Sequence, residues 1–188
     1  MSTVATPMTT DEFLSLPDDD KFERWLVEGE LRERPMSLRS RKHSFALAAL
    51  ARHLGNYCAS RPGAPFSVFA GDVFFRLKRN PDTNVGIDVA VATLQQLAAS
   101  PANARYIEGP PLLAAEILSP SDMVEDIQEK IREYLKNGAR LVWLVDPFQE
   151  TVTAYRPNAE PVLVSRSQKL EGDPELPGFS VSVADLFG

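Results

Sequence analysis

Apolar positions along the chain follow two periods, and the switches between them divide it into elements. Thr9 and Glu12 have capping-box spacing ahead of Phe13, Leu14 and Leu16, which predicts a short helix ended by Pro17. Arg24–Val27 and Glu30–Glu33 flank Glu28-Gly29, a two-residue turn signal, and predict an N-terminal hairpin. From Arg39 to Ser60 the spacing of Phe45, Leu47, Ala48, Leu50, Ala51, Leu54, Tyr57 and Cys58 is close to 3.6, the period of an amphipathic helix. The Pro62-Gly63-Ala64-Pro65 run stops it. Strands are expected at Phe66–Phe69 and Asp72–Leu77, joined by a break or bulge at Gly71, and at Val85–Ala92 and Pro111–Leu118. Between the last two, Thr93–Ala99 reads as a short helix and Pro101–Pro111 as loop.

A second helical stripe follows at Val124, Ile127, Ile131, Tyr134 and Leu135, started by Ser119-Pro120-Ser121-Asp122 and closed by Gly138. Leu141–Asp146 is a buried strand, Thr151–Arg156 its antiparallel neighbour, Val162–Val164 one more strand and Val183–Phe187 a closing turn. This order predicts an α/β (α+β) fold, a mixed central sheet flanked by helices, with an N-terminal hairpin and a C-terminal β extension. With 188 residues, 44% hydrophobic and 24% charged, a single domain over residues 1–188 is expected. The longest apolar runs are too short to span a membrane and Met1–Pro7 lacks a secretory pattern, so the expected location is the cytoplasm, with no membrane partner. Cys58 is the only cysteine, which excludes an internal disulfide and a cysteine metal cluster and suits core packing.

Two acids break the apolar strands. Asp88 lies in Val85–Ala92 and Glu116 in Pro111–Leu118. A carboxylate inside a buried strand is costly unless a cation, a metal or hydrogen bonds compensate it. Strand alternation puts Asp88 with Gly86, Ala90 and Ala92, and Glu116 with Ala114, so small neighbours leave room beside each acid. The same small residues would equally serve close helix packing. On the following helix, Lys130 stands about a quarter-turn from the centre of the apolar stripe and one turn from Tyr134, within a flexible stem's reach of the sheet. A helix lysine is more often simply solvated.

Charge narrows the partners. The net charge of −6 argues against broad, charge-driven nucleic-acid binding. Cations nonetheless cluster at Arg32, Arg34, Arg39, Arg41 and Lys42, and again at Arg76, Lys78 and Arg79. Arg39, Arg41, Lys42, Arg76 and Lys78 are therefore either a phosphate-facing strip or solvated loop and helix-start charges. Asp18-Asp19-Asp20 reads as a solvated loop. No P-loop, dinucleotide fingerprint, nucleophile elbow or paired-histidine zinc spacing is present, since His43 and His53 are out of phase on one helix.

Gly86–Val91, the Glu-Ile-Leu-Ser-Pro-Ser run at 116–121, Lys130 with Tyr134, and Leu141–Pro147 together resemble the Uma-type restriction endonuclease family, a domain of unknown function within the PD-(D/E)XK nuclease superfamily. The resemblance extends from Trp25–Leu31 to Leu176–Phe179. It implies a restriction-endonuclease-like αβββαβ core in which Asp88, Glu116 and the backbone carbonyl of Ile117 bind Mg²⁺ or Mn²⁺. The superfamily lysine usually stands two residues after the acid, where this chain has Leu118. Lys130 takes that role by the same resemblance, with His43 and Tyr134 as accessory residues. Ile87 replaces the proline of the motif, and Trp25 stands where many relatives carry an acid, leaving Glu23, Glu28 or Glu30 to compensate.

The activity so implied is metal-dependent hydrolysis of DNA phosphodiesters, with no small-molecule cofactor and a homodimer as the expected assembly. An inactive nuclease-fold binding or regulatory module, and a metal-dependent nuclease acting on RNA or small phosphodiesters, are the alternatives.

Overall fold

The computed structural model describes residues 6–17, 19–36, 39–61, 63–101 and 103–188. The readings made for the first five residues, Asp18 and Pro62 lie outside them. At the N-terminus, α1 (Thr10–Leu14) carries the expected capping box between Thr9 and Glu12. β1 (Phe22–Val27) and β2 (Glu30–Pro35) pair antiparallel around Glu28 and Gly29, both at positive φ, the geometry of a tight hairpin turn. Gly29 is required for a second reason: a Cβ there would lie 2.3 Å from that of Pro7.

α2 (Arg41–Ala59) begins two residues later than expected, because Ser40 accepts the His43 N–H and caps it. Its buried stripe is His43, Ala46, Ala49, Leu50, Leu54 and Tyr57, and the structure corrects the expected one by exposing Phe45 and Ala48. The inward face is the one on which alanines permit close approach to the sheet.

β3 (Phe66–Lys78) and β4 (Thr83–Thr93) form a long antiparallel pair. α3 (Leu94–Ala99) follows, capped by Thr93 and Gln96. The expected loop at 101–111 contains a short strand, β5 (Tyr106–Glu108), which pairs parallel with β3. β6 (Leu113–Ile117) lies antiparallel to β4 and parallel to β7 (Leu141–Asp146), with α4 (Val124–Lys136) crossing between β6 and β7. The series α2, β3, β4, β6, α4, β7 is the anticipated αβββαβ order. β8 (Thr151–Tyr155) and β9 (Val162–Ser165) extend the sheet, whose main path runs β2-β1-β4-β6-β7-β8-β9. β10 (Lys169–Glu171) and β11 (Ser180–Ser182) make a separate small sheet ahead of a 3₁₀ turn at Val183–Leu186.

The expected helix start at Ser119–Asp122 is also corrected. Asp122 accepts the Ser119 N–H and so closes a local turn, while α4 begins after Met123 without a side-chain cap. Val124, assigned to the buried stripe, is exposed on that first turn. Gly138 does take positive φ just past the helix, as the C′ position favours.

Two cores sandwich the sheet. One packs Ala46, Leu50, Leu54 and Tyr57 of α2 against Val89, Val91, Leu113, Ala115 and Trp143. The other packs Ile127, Ile131 and Tyr134 of α4 against Ala90, Ala92, Ala114, Val142 and the hairpin residue Trp25. Val85 and Ile87 join this second core. The alternation of β4 therefore changes phase between Ile87 and Val89, contrary to the simple period-two assignment. At the same level the neighbouring strand is irregular: Ala70 pairs with Val89 but Val73 with Ile87, so Gly71 and Asp72 form a bulge that gives β3 one residue more than β4. Asp88 sits at that joint, between the two faces of the sheet.

Candidate active site

The antiparallel register Val89↔Ala115 makes 88 and 116 the next opposed positions on β4 and β6. Here the ladder opens. The Ile117 N–H, next in line, donates 2.8 Å to the Asp88 carboxylate. Asp88 also receives Arg39 Nη1 at 2.9 Å and has His43 Nε2 3.4 Å away. The phase change lets one side chain reach the start of α2 while touching the end of β6. Arg39 is held from behind by Asp72, whose two oxygens lie 2.9 and 2.8 Å from Nη2.

Glu116 keeps the orientation that strand alternation assigned it, toward α4. Tyr134 donates its hydroxyl hydrogen to Glu116 Oε1, and Lys130 Nζ lies 3.7 Å from Oε2. Lys130 is 3% exposed. Its ammonium also donates 3.1 Å to Glu23 and stands 5.5 Å over the Trp25 ring. Glu23 is clamped in turn by Arg34, at 2.7 and 3.0 Å.

These contacts sort the acids. Burial works to raise the Asp88 carboxyl, but His43, the Ile117 N–H and Arg39 together hold it below the usual range. Burial likewise works against the charge on Glu23, and Lys130 and Arg34 outweigh it. Glu116 behaves oppositely. Complete burial pushes it up to about 7, against Lys130 and with Asp88 adding repulsion. Lys130, although burial opposes its charge, is held above its ordinary value by Glu116 and Glu23. Burial, then Glu116, drives the Tyr134 hydroxyl well above 10, so it remains a donor.

Among the residues singled out from sequence, Asp88, Glu116, Lys130, Tyr134, His43, Arg39 and Glu23 come together. Glu28 and Glu30 do not: Glu28 binds Lys78 and Lys136, and Glu30 binds Arg32. Arg76 is a correction to the phosphate-facing strip, being buried against Glu108. Arg39 stays partly exposed on the loop before α2, but its guanidinium is paired with Asp72 and Asp88. Arg41 and Lys42 remain exposed. Asp72 and Arg34 were not anticipated as neighbours of the site. The signal for Asp72 was the bulge at Gly71, which aims the next side chain out of the ladder.

A family profile described as "Uma2: Putative restriction endonuclease" matches residues 10–184. This chain belongs to that family. A structural relative is a putative nuclease belonging to DUF820 from Anabaena variabilis ATCC 29413, known from a crystal structure at 1.96 Å. It is 25% identical with a TM-score of 0.77, covering 96% of this chain and 98% of its own. No curated protein matches. Membership in the Uma2 family, together with this likeness, makes the chain nuclease-like in fold and relates it to hydrolases of phosphodiester bonds. No helix among the described residues is long and apolar enough to cross a membrane.

Proposed function

We propose that this Uma2-family chain is a metal-dependent endonuclease that hydrolyses phosphodiester bonds of DNA. The supporting observation is Glu116, an acid fully buried opposite a second acid and held near neutrality with too little compensating charge. A buried carboxylate in that condition gains most from an added cation.

The donor set fits a hard divalent ion. Among the described residues no group of three or more His, Cys, Asp or Glu side chains forms a metal cluster. Two carboxylates with a carbonyl match Mg²⁺, which keeps several waters and shares substrate oxygens, better than zinc. Asp88, Glu116 and the Ile117 carbonyl would hold Mg²⁺ or Mn²⁺. When bound, such an ion polarises a phosphoryl oxygen and acidifies water.

The chain's own groups supply the rest. The Lys130 ammonium, desolvated and fixed between Glu23 and Glu116, is placed to stabilise negative charge developing on phosphorus oxygens. Tyr134 holds Glu116 Oε1 and leaves Oε2 toward Lys130. Arg39, whose Nη groups meet Asp72, Asp88 and His43, holds the Asp88 carboxylate in place.

The test is incubation of plasmid, single-stranded DNA and RNA with Mg²⁺ or Mn²⁺. The expected result is metal-dependent DNA cleavage, lost in Asp88→Ala and Glu116→Ala while both variants stay folded. Cleavage of RNA alone would change the substrate class. No cleavage of any substrate, with no divalent-ion binding by calorimetry, overturns the reading.

A further inference from the structure

Next to the acids, on the side of α1, lies a cavity of about 210 Å³. Its walls are mostly rings and hydrocarbon, with Phe13, Phe22, Trp25 and Phe74 prominent among them. Glu23, Arg39 and Asp72 line it as well, so it is continuous with the cluster around Asp88 and Glu116. Arg24, paired with Asp19, and Arg105 complete the polar part of its wall.

Three features point to a planar occupant. Phe74 pairs across the strands with Gly86, whose missing side chain leaves room for the ring, and Phe13 meets that ring edge-on with centroids 5.6 Å apart. The size is also suitable, since a dry cavity of about 150 Å³ accommodates benzene. Aromatic walls interleaved with arginines are the composition of surfaces that stack single-stranded bases and track their phosphates.

We propose that this cavity receives one unpaired nucleobase, so that the phosphodiester cut at Asp88 and Glu116 is one flanked by an unstacked base, in single-stranded or locally opened DNA. This deepens the nuclease reading and rests on it. A base inside an intact duplex shows only its edges and cannot enter a recess walled by rings, whereas an extruded one can.

Binding is tested apart from cleavage. The chain has two tryptophans, and Trp143 belongs to the core against α2, on the opposite face of the sheet. In a Trp143→Phe background, Trp25 emission reports on the cavity alone. Without metal, the protein is titrated with deoxynucleoside 5′-monophosphates, a single-stranded oligonucleotide, its duplex, and the same strand carrying abasic positions. Emission is expected to respond to the mononucleotides and the single strand. Duplex and abasic strand should bind about 5- to 150-fold more weakly, the range for one stacked base. Phe74→Ala should cause a similar loss, and Phe74→Leu, which keeps most of the volume, serves if the alanine variant does not fold.

Two outcomes separate this inference from the nuclease reading. A nucleotide response without metal-dependent cleavage keeps the base site and removes the hydrolysis. Cleavage of duplex as fast as single strand, with Trp25 emission unmoved by any nucleotide, keeps the hydrolysis and overturns the base site.

Discussion

Arg76 and Asp88 lie on adjacent strands, each inside a buried charge cluster, and the two clusters are balanced differently. Around Arg76, Glu108 accepts two bonds from that guanidinium, at 2.6 and 3.1 Å, and two more from Arg79, while Asp82 caps the Thr10 N–H. Burial works to raise both acids, and these partners carry both below the usual carboxylate range. Around Asp88, five acids share three cations: Asp72, Asp88, Glu23, Glu116 and Asp122 face Arg39, Arg34 and Lys130. The deficit collects on Glu116, and to a lesser degree on Asp72, which burial also raises. A charge cluster serving only stability satisfies each member; one short of a cation has room for a ligand.

The largest separation between the two should be in rate. Asp88→Asn and Glu116→Gln keep shape but remove charge, and each is expected to slow metal-dependent plasmid nicking by at least about 100-fold, the range for losing one essential electrostatic group. Glu108→Gln should leave nicking unchanged. A loss in Glu108→Gln equal to that in Glu116→Gln would erase the distinction.

Stability should reverse the order. Arg76→Ala takes a buried guanidinium from buried Asp82 and half-buried Glu108, which costs on the order of 3–5 kcal/mol. In a chain of this size that is a fall of roughly 6–20 °C in Tm by calorimetry. Glu116→Gln should raise Tm at pH 8, because it removes a charge the fold poorly tolerates. A Tm drop in Glu116→Gln comparable to that of Arg76→Ala would make Glu116 a structural residue.

The pH dependence follows from the same contrast. Glu116 rises from 4.5 to about 7 on folding, so the folded state holds the proton more tightly. Its contribution is fully present below about pH 4.5 and is lost as pH rises through about 7, on the order of 3 kcal/mol in all. Asp82 and Glu108 are lowered, so theirs is present at neutral pH and lost as the medium becomes acid. The Tm of wild type relative to Glu116→Gln should therefore fall between pH 5 and 8. Added Mg²⁺ should restore it at pH 8 in wild type only, because binding to the folded state stabilises that state. A Tm difference that does not vary with pH would contradict the burial of Glu116.

Much of this contrast was legible in the sequence, and its limits are physical. Asp88, Glu116 and Lys130 stood out because apolar strands and a helical stripe make a charge conspicuous, and the hairpin and both long helices carried local turn and capping signals. What could not be read was set by pairing between distant residues. The phase change at Asp88 coincides with an extra residue on β3, a pairing irregularity that a period-two count along β4 cannot register. Arg39 and Arg76 were grouped as possible phosphate contacts because composition counts charge, whereas their partners, Asp72 and Glu108, are brought in by strands β3 and β5. Glu23, Glu28 and Glu30 were equivalent on paper, since a hairpin offers each at short range and only the packing of α4 chooses among them.

That choice makes the smallest expected effect the most discriminating. Glu23 touches Lys130 and is not itself aimed at the opposed acids, so it is a positioning residue. Glu23→Gln should slow nicking by about tenfold, as losses of groups that orient a site's primary residues do. Glu28→Gln, whose side chain meets only exposed lysines at the hairpin tip, should change neither rate nor Tm measurably. Slow nicking alone would not separate positioning from loose folding, but the pH profile does. Glu23 helps hold the Lys130 proton, so its removal should move the alkaline fall in activity to lower pH, with Glu23→Asp restoring part of the shift. An unshifted alkaline limb in Glu23→Gln would mean that Lys130 is governed by Glu116 alone, and that the hairpin supports the site without tuning it.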